Sequence, residues 1–465
     1  SRRHLSRTFF LRGTIMHDLI IIGGGPAGYV AAEHAGKSGL STLLMEKGSL
    51  GGVCLNEGCI PSKTLLHCVK LFSAAKSSAQ FGVTAGTVSF DLGPVMARKQ
   101  KTVETMRNGI ASTLKKHKVE ICAGSAVILG KSGGVFRVSA AGKEHEAARL
   151  LMCTGSEAVR LDIPGANQDF VMTNREILSV SSIPSTIAVI GAGAIGLEFA
   201  SFFAEAGSRV CVVEILPAIG GRLDKDIAGA LKRELDKKGI AFYLQSNVTA
   251  VGDRSVTFES GGKSQTLPAD IVLMSVGRRP VVGGFGLETL GVLVEKGAIK
   301  TDPQGRTNVP GVWAAGDVNG VSMLAHTAFR EAMVCVHDML SQSDSVNYDA
   351  IPSVIYTHPE AATVGLTKDE AVARGFAPAE GRLPLTFNAR YFAETDGERG
   401  TIRVVADSKS RRLLGVHMLG GNCSELIWGA AALIEQGLTL EGAAKIVFPH
   451  PTVSEIIGDA MAQVP

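Results

Sequence analysis

The sequence has little net charge and no long apolar run. Lysine and arginine number 47 against 44 aspartates and glutamates, so the formal net charge is only +3 over 465 residues. A charge this small argues against nucleic-acid binding, which requires a concentrated basic surface. No segment approaches the roughly 18 apolar residues of a membrane-spanning helix. We therefore expect a protein that binds neither nucleic acid nor membranes.

The composition also excludes disordered and fibrous chains. Hydrophobic residues make up 45% and charged residues 20% of the sequence, which is enough apolar material to build the cores of about two to four domains. Glycine is in excess, with 55 residues, but it follows no G-X-Y period, which excludes collagen. The excess is expected in turns and where the backbone closely approaches another group.

The first fifteen residues carry four arginines and no acid. This composition is typical of a mitochondrial presequence. The other interpretation is an extension ahead of a start at Met16, which we favour because Met16 leads directly into a strand. We therefore predict a leader at 1–15 and a cytoplasmic protein, with the mitochondrial matrix as the alternative if the leader is a presequence.

The chain lacks a secretory apolar segment, so its eight cysteines are not expected to form structural disulfides. Six of them are isolated in sequence and are predicted to be small buried hydrophobic residues. Only Cys54 and Cys59 lie close together. A zinc site needs four ligands, and neither a second cysteine pair nor a spaced histidine pair accompanies these two. We predict no metal site.

An internal repeat is the strongest pattern in the chain. Strand-like Asp18–Ile22 leads into a glycine-rich turn, a helix and a second strand that ends at Glu46. Thr186–Ile190 leads into the same series, which ends at Glu214 with the same spacing from first glycine to final acid. The glycines of the two turns are Gly23, Gly25 and Gly28, and Gly191, Gly193 and Gly196. Each copy predicts a dinucleotide-binding unit.

The glycine spacing has a physical reason. The first glycine permits a tight turn, the second lets the backbone reach a pyrophosphate, and the third lets helix and strand pack closely. The helix N-terminus then binds the phosphates, and the final acid accepts hydrogen bonds from a ribose diol. Because Glu214 would repel a 2′-phosphate, we expect NAD rather than NADP at the second site, although Arg222 follows eight residues later.

The spacing of Cys54 and Cys59 does not suit a disulfide in a regular helix. Five helical residues separate Cα atoms by roughly 8.6 Å, beyond the limit of about 7 Å for a disulfide. Gly58 is permissive and Pro61 cannot donate to the carbonyl of Glu57, so we expect the helix to be distorted here. A strained, reducible disulfide is therefore feasible, and two unrelated buried thiols are the alternative.

Five motifs together resemble one known family. They are GGGPAG at 23–28, GGVCLNEGCIPSK at 51–63, GAGAIGLE at 191–198, AAGD at 314–317 and HPTVSE at 450–455. The combination is similar to that of the pyridine nucleotide–disulfide oxidoreductases over residues 16–465. It implies an α/β fold with two Rossmann-like dinucleotide-binding domains and an α+β C-terminal dimerisation domain. The implied boundaries are 16–153, completed by 277–347, for FAD binding, 154–276 for NAD binding and 348–465 for dimerisation.

The resemblance implies an oxidation of protein-bound dihydrolipoyl groups, with electrons passing through a cysteine pair and FAD to NAD⁺. Cys54 would meet the substrate, and Cys59 would face the flavin near Lys63, which pairs with Glu198. The other implied cofactor contacts come from Glu46, Gly52, Thr154, Gly155, Gly277 and Gly316, with Asp317 on the ribityl chain of the flavin.

The resemblance also implies a homodimer. His450 of one subunit, oriented by Glu455, would take the thiol proton of the substrate at the cysteine pair of the other subunit. The implied partner is the lipoyl-bearing subunit of a 2-oxo-acid dehydrogenase or glycine-cleavage complex. His326, His358 and His417 are predicted to be structural.

Related activities are the alternatives. A glutathione-type NAD(P)H-dependent disulfide reductase would usually carry Val-Asn-Val between the cysteines, whereas Leu-Asn-Glu stands here. A mercuric reductase would add a cysteine pair near the C-terminus, and none follows Cys423. A flavin-binding scaffold of a larger complex, without a working disulfide, is a third alternative. Segments 325–328 and 330–332 depart from the family pattern, which expects a lysine and a glycine at two of these positions.

Overall fold

The computed structural model describes residues 16–395 and 397–465. The predicted leader at 1–15 lies outside the described residues. Across those two ranges, no helix is both long and apolar enough to cross a membrane.

Short strands alternate with helices along the described part of the chain. Its twelve α-helices are α1 (Pro26–Lys37), α2 (Gly52–Glu57), α3 (Cys59–Ser77), α4 (Leu92–Lys116), α5 (Ala194–Ala206), α6 (Lys225–Lys237), α7 (Ala325–Met339), α8 (Lys368–Ala373), α9 (Ala389–Thr395), α10 (Cys423–Glu435), α11 (Leu440–Ala443) and α12 (Glu455–Ala462). Its twenty-six strands are β1 (Met16–His17), β2 (Leu19–Ile22), β3 (Thr42–Glu46), β4 (Glu120–Ala123), β5 (Val127–Ser132), β6 (Val135–Ala140), β7 (Lys143–Ala147), β8 (Leu150–Met152), β9 (Ser156–Ala158), β10 (Val171–Met172), β11 (Thr186–Ile190), β12 (Arg209–Val213), β13 (Ala241–Tyr243), β14 (Ser246–Gly252), β15 (Ser255–Ser260), β16 (Lys263–Pro268), β17 (Ile271–Met274), β18 (Arg278–Pro280), β19 (Val294–Glu295), β20 (Ala298–Ile299), β21 (Val312–Ala314), β22 (Ser353–Ile355), β23 (Glu360–Gly365), β24 (Pro378–Pro384), β25 (Thr401–Asp407) and β26 (Leu413–Gly420).

The chain forms two compact units. Within the described residues, the first unit comprises 16–60, Lys101–Glu157 and Arg278–Val346. The second unit comprises Pro61–Gln100, Ala158–Gly277 and Asn347–Pro465. This division is coarser than the three domains expected from the sequence, whose boundaries stay predictions.

The first unit is built on a five-stranded parallel sheet in the order β21-β8-β2-β3-β4. Its central strand β2 is buried throughout and is entirely apolar, as expected for a parallel strand covered on both faces. A second sheet in the order β1-β7-β6-β5 completes the unit. The carboxyl ends of β2 and β3 meet at the first glycine-rich turn, which is where a doubly wound sheet binds its ligand.

The second unit repeats this plan and adds an antiparallel sheet. Its parallel sheet runs in the order β10-β17-β11-β12-β13. A small antiparallel sheet runs in the order β14-β15-β16, and the added antiparallel sheet runs in the order β22-β23-β26-β25-β24. Strand β26 is buried at every position, and helix α10 contributes buried Ile427 and Ile434 to the same core. The second glycine-rich turn lies at the end of β11.

The predicted fold class is confirmed, because two parallel Rossmann-like sheets and a C-terminal antiparallel sheet with helices are present. The strands predicted on either side of each glycine-rich turn are also present. Helices α3 and α4 are separated by residues 78–91, which contain no α-helix. A left-handed Gly82, with φ of 77°, caps the short 3₁₀ turn that follows α3.

Candidate active site

The first glycine-rich turn joins β2 to α1 without a side-chain cap. Gly25 is the N-cap of α1 and no side chain bonds to the first turn of the helix, so backbone N–H groups there are available to an anion. A Cβ on Gly28 would lie 1.8 Å from the carbonyl oxygen of Gly23, so only glycine allows this helix–strand contact. Glu46 closes the turn by accepting hydrogen bonds from the N–H groups of Gly24 and Gly48, each at 2.6 Å.

The second turn reproduces this geometry in the other unit. Gly193 is the N-cap of α5 without a side-chain cap, and a Cβ on Gly193 would meet nothing within 4 Å. The backbone therefore borders open space that a pyrophosphate could occupy. Buried Glu214 accepts hydrogen bonds from the N–H groups of Ala192 (2.6 Å) and Leu216 (2.8 Å). Both turns thus fit a dinucleotide, with a fixed carboxylate at the ribose position.

The helix carrying the cysteines is interrupted between them. Cys54 lies in α2 and Cys59 is the first residue of α3, with Gly58 outside both helices. A Cβ on Gly58 would lie 3.1 Å from the carbonyl oxygen of Val53, which is a tight contact for any other residue. The predicted helix distortion is therefore present, while the sulfur–sulfur bond stays a prediction.

The cysteine helix α2 starts directly on the first glycine-rich turn. The N–H of Gly51 donates to the carbonyl oxygen of Gly24 at 2.8 Å. A Cβ on Gly52 would lie 2.6 Å from Cα of Gly25. The predicted cofactor residue Gly52 therefore makes a backbone approach that no larger residue allows.

Tyr29 of α1 lies close to both cysteines and was not among the residues predicted from the sequence. Burial is the main cause that raises the pKa of its hydroxyl to about 12, and negative charge on Cys54 and Cys59 raises the pKa further. The hydroxyl therefore stays protonated at neutral pH. The position of Tyr29 in the first turn of the helix that follows the glycine-rich turn was the only sequence signal that could have identified it.

The structure brings Lys63 and Glu198 together in the second unit. Lys63 Nζ lies 2.7 Å from a carboxylate oxygen of Glu198, and Glu198 is 6% exposed. The backbone N–H of Tyr356 donates to the other oxygen at 3.2 Å, and Lys63 Nζ lies 4.3 Å from the centre of the Tyr356 ring. Nothing in the sequence near Tyr356 indicates that it completes this ion pair.

Asp317 is held by a short chain of hydrogen bonds in the first unit. The hydroxyl of Ser156 donates to the Asp317 carboxylate. Arg278 donates from Nε to the Ser156 hydroxyl oxygen (2.7 Å) and from Nη2 to the Ser156 carbonyl oxygen (2.7 Å). Ser156 follows Gly155 and Arg278 follows Gly277, and both glycines were predicted to contact a cofactor. This adjacency was the only signal in the sequence for Ser156 and Arg278.

Two other predicted residues lie in this region of the first unit. The hydroxyl of Thr154 donates to the carbonyl oxygen of Val281 at 2.7 Å. The N–H of Gly316, a residue with φ of 79°, donates to the buried carboxylate of Glu331 at 2.6 Å. The Gly316 bond fixes the backbone that leads into Asp317. The Thr154 bond anchors the chain just before Ser156, which binds Asp317.

His450 and Glu455 form a pair at the C-terminal end of the second unit. His450 Nδ1 lies 2.9 Å from Glu455 Oε1, and the N–H of Thr452 donates to Glu455 Oε2 at 2.9 Å. The Thr452 N–H first, and then His450, lower the pKa of Glu455, so the carboxyl group is ionised at neutral pH. The imidazole of His450 is 79% exposed.

Of the histidines predicted to be structural, His417 is buried and His358 is half-buried. His417 is fully buried and contacts Thr363 and the carbonyl oxygen of Leu366 (3.1 Å). Burial first, and then the charge of Lys238, lowers the pKa of His358 to about 4. Burial also lowers the pKa of His417, so both imidazoles are neutral at physiological pH. Across residues 16–395 and 397–465, no three histidine, cysteine or acidic side chains form a group suited to a metal ion.

Comparisons with known proteins show which family the chain is similar to. Residues 17–332 match the family model described as pyridine nucleotide-disulphide oxidoreductase, and residues 351–461 match its dimerisation domain. The chain is 37% identical to a dihydrolipoyl dehydrogenase of Chlorobaculum tepidum, over 95% of this chain and 96% of that one. It is equally identical to a mitochondrial dihydrolipoyl dehydrogenase of Dictyostelium discoideum, over 98% and 96%. The crystal structure of LpdA from Mycobacterium tuberculosis superposes with a TM-score of 0.88 at 25% identity, over 96% and 99% of the two chains.

Proposed function

The chain belongs to the pyridine nucleotide–disulphide oxidoreductases, and we propose that its activity is that of a dihydrolipoyl dehydrogenase. It oxidises protein-bound dihydrolipoyl groups through a Cys54–Cys59 disulfide and FAD, and it reduces NAD⁺ to NADH. The observation that carries this proposal is the start of the cysteine helix α2 on the first dinucleotide turn, through the bond between Gly51 and Gly24. This bond supports the proposal, because it holds the segment that carries both cysteines next to the turn proposed to bind FAD.

The first turn suits FAD and the second suits NAD. At the first turn, the N-terminus of α1 would hold the pyrophosphate and Glu46 the ribose, while Ser156 and Arg278 keep Asp317 in place for the ribityl chain. FAD bound there supplies the two-electron chemistry that links a dithiol to a pyridine nucleotide. At the second turn, the N-terminus of α5 and Glu214 would hold NAD in the same manner.

The substrate reduces the cysteine pair by two successive thiol–disulfide exchanges. A dihydrolipoyl thiolate attacks Sγ of Cys54, the Cys54–Cys59 bond breaks, and Cys59 leaves as a thiolate. The second lipoyl thiolate then attacks the lipoyl sulfur bonded to Cys54, which closes the lipoyl disulfide and releases the Cys54 thiolate. Two electrons pass to the cysteine pair, and the two substrate protons are given up to bases.

His450 is the base that removes a substrate proton. Glu455 holds its Nδ1, which leaves Nε2 of the same ring to accept the proton. Because the His450 imidazole is 79% exposed on its own chain, it is accessible to a second copy. In the proposed homodimer, the C-terminal region that matches the dimerisation model presents His450 to the cysteine pair of the partner subunit.

The physiological partner in this proposal is the lipoyl-bearing subunit of a 2-oxo-acid dehydrogenase or glycine-cleavage complex. Several relatives are mitochondrial by name, which supports the matrix as an alternative to the cytoplasm. The segment that decides between the compartments, 1–15, lies outside the described residues.

An assay of NADH formation tests the proposed function. The purified, FAD-loaded protein is mixed with dihydrolipoamide and NAD⁺, and absorbance of NADH is followed. We expect multiple turnovers with dihydrolipoamide and none with reduced glutathione in its place. Failure to form NADH from dihydrolipoamide with FAD bound contradicts the proposal, whereas NADPH-driven reduction of glutathione disulfide would indicate the alternative reductase.

The charge of Glu214 is predicted to set the preference for NAD over NADP. Glu214→Gln keeps the shape of the side chain but removes the charge that repels a 2′-phosphate. We expect the ratio of kcat/KM for NAD⁺ to that for NADP⁺ to fall about tenfold, the size of one charged hydrogen bond. Glu259→Gln, at an exposed position of β15 in the same unit, is the control for charge alone. An unchanged ratio in Glu214→Gln would show that other residues choose the cofactor.

A further inference from the structure

A contact that the sequence does not indicate links helix α4 to the cysteine segment. Arg107 donates from Nη2 (2.6 Å) and from Nε (3.2 Å) to the side-chain oxygen of Asn56. The two residues are 51 positions apart and both belong to the first unit. Two N–H groups of one planar guanidinium therefore converge on a single amide oxygen, which restricts both side chains.

Asn56 also bonds to the beginning of its own helix. Its Nδ2 donates to the carbonyl oxygen of Gly52 at 2.8 Å and to that of Leu50 at 3.1 Å. Asn56 lies two residues after Cys54 and three before Cys59. The amide group thus connects the segment between the cysteines to the loop that precedes α2.

That loop in turn rests on the first dinucleotide turn. Gly51 N–H donates to the Gly24 carbonyl, and Gly52 packs against Gly25 without room for a Cβ. A continuous series of polar and close contacts therefore runs from Arg107 through Asn56 to the glycine-rich turn. Helix α2 has only six residues and ends at Glu57, so its own hydrogen bonds give it little rigidity.

We propose that Arg107 is a positioning residue for the thiol–disulfide exchange, and that it acts through Asn56 by holding α2, and with it Cys54, against the first dinucleotide turn. The inference rests on the proposed function. Exchange at Cys54 needs the incoming sulfur and both cysteine sulfurs in one arrangement, and reacting groups that are displaced by fractions of an ångström react more slowly.

The test uses the FAD-loaded protein with Arg107→Met, which keeps an unbranched side chain of similar thickness and removes the N–H donors. We expect kcat for dihydrolipoamide oxidation to fall about tenfold with KM for NAD⁺ unchanged. Reduction of ferricyanide by NADH, which bypasses the cysteine pair, is expected to stay within about twofold of the unmodified protein. Arg107→Lys, which retains a charged donor, is expected to recover part of the loss.

A second measurement does not depend on activity. Amide hydrogen exchange of the peptide 52–59 is expected to be about tenfold faster in Arg107→Met, because α2 loses its contact with α4. Arg137→Met removes one arginine from an exposed pair with Glu144 in the same unit and is expected to change neither the exchange nor either activity. In Asn56→Ala, adding Arg107→Met should have little further effect on kcat, since the arginine acts through the amide.

The outcomes separate the inference from the proposed function. If the unmodified protein does not oxidise dihydrolipoamide, the function is wrong. If it does so and Arg107→Met leaves kcat and hydrogen exchange unchanged, the inference is wrong. An equal loss of lipoyl and ferricyanide activities in Arg107→Met also overturns it, because that result indicates general destabilisation.

Discussion

Replacing Cys59 by serine is expected to lower dihydrolipoamide oxidation by about a thousandfold or more, while NADH-driven ferricyanide reduction persists. A serine hydroxyl cannot form or break a bond to Cys54 sulfur, so the electron pair of the substrate has no route to the flavin site. The ferricyanide reaction needs only NAD binding and FAD and should be retained. Both rates are measured on the same purified, FAD-loaded preparation.

Cys68→Ser is the matched control for this prediction. Cys68 lies further along the same helix α3, and burial raises the pKa of its thiol, which keeps it protonated and unreactive. We expect Cys68→Ser to oxidise dihydrolipoamide at the same rate as the unmodified protein. Appreciable turnover by Cys59→Ser would mean that Cys54 and Cys59 are structural thiols, which was the alternative left open by their spacing.

Replacing His450 by glutamine is expected to lower kcat for dihydrolipoamide oxidation by about a hundredfold or more. A thiol is a poor nucleophile until it loses its proton, and glutamine cannot accept that proton at neutral pH. The ferricyanide reaction should again be unaffected. His117→Gln, in a half-buried position directly after α4, is the control for loss of an imidazole.

Glu455→Gln is expected to have a smaller effect, about tenfold, because it keeps a side-chain acceptor for His450 but removes the charge that stabilises the protonated imidazole. The pKa of Glu455 is lowered, so its carboxylate is lost only when the pH falls below the ordinary carboxyl range. Turnover of His450→Gln equal to that of the unmodified protein would assign the base to another group.

Mixing two inactive variants tests the homodimer directly. In the proposed arrangement, His450 of one subunit serves the cysteine pair of the partner subunit. A mixed dimer of one Cys59→Ser subunit and one His450→Gln subunit contains one complete site. That site combines the intact cysteine pair of the His450→Gln subunit with the intact His450 of the Cys59→Ser subunit. Activity should therefore reappear on mixing. No recovery in verified mixed dimers would place both residues of a working site on the same chain.

Much of the fold could be predicted because its signals are local. Buried parallel strands such as β2 and β11 appear as short apolar runs, and the glycines that follow them are required by contacts within one turn, such as that between Gly28 and Gly23. The break between α2 and α3 was also predictable, since glycine and proline act on their own backbone. The ten residues 82–91, between the 3₁₀ turn at Ser78–Phe81 and α4, carried no comparable signal.

The site residues divide in the same way. Glu46 and Glu214 were identified by their spacing from the glycine-rich turn in each repeat, and Cys54 and Cys59 by their proximity in the sequence. Only the family resemblance predicted the pairs Lys63–Glu198 and His450–Glu455. Neither the residue types nor their positions in the sequence indicate which partner each side chain contacts. Tyr29, Tyr356 and Arg107 were missed, since their types are common and no motif surrounds them.

The sequence by itself determined the two nucleotide turns, the interrupted cysteine helix and the apolar strands, because each depends on backbone geometry over a few consecutive residues. Only the tertiary structure decided which distant side chains complete the site. Arg107 reaches Asn56, and Tyr356 reaches Glu198, because packed helices and strands bring together groups separated by 51 and 158 positions. Such contacts follow from the packing of whole elements, which no local pattern of residues encodes.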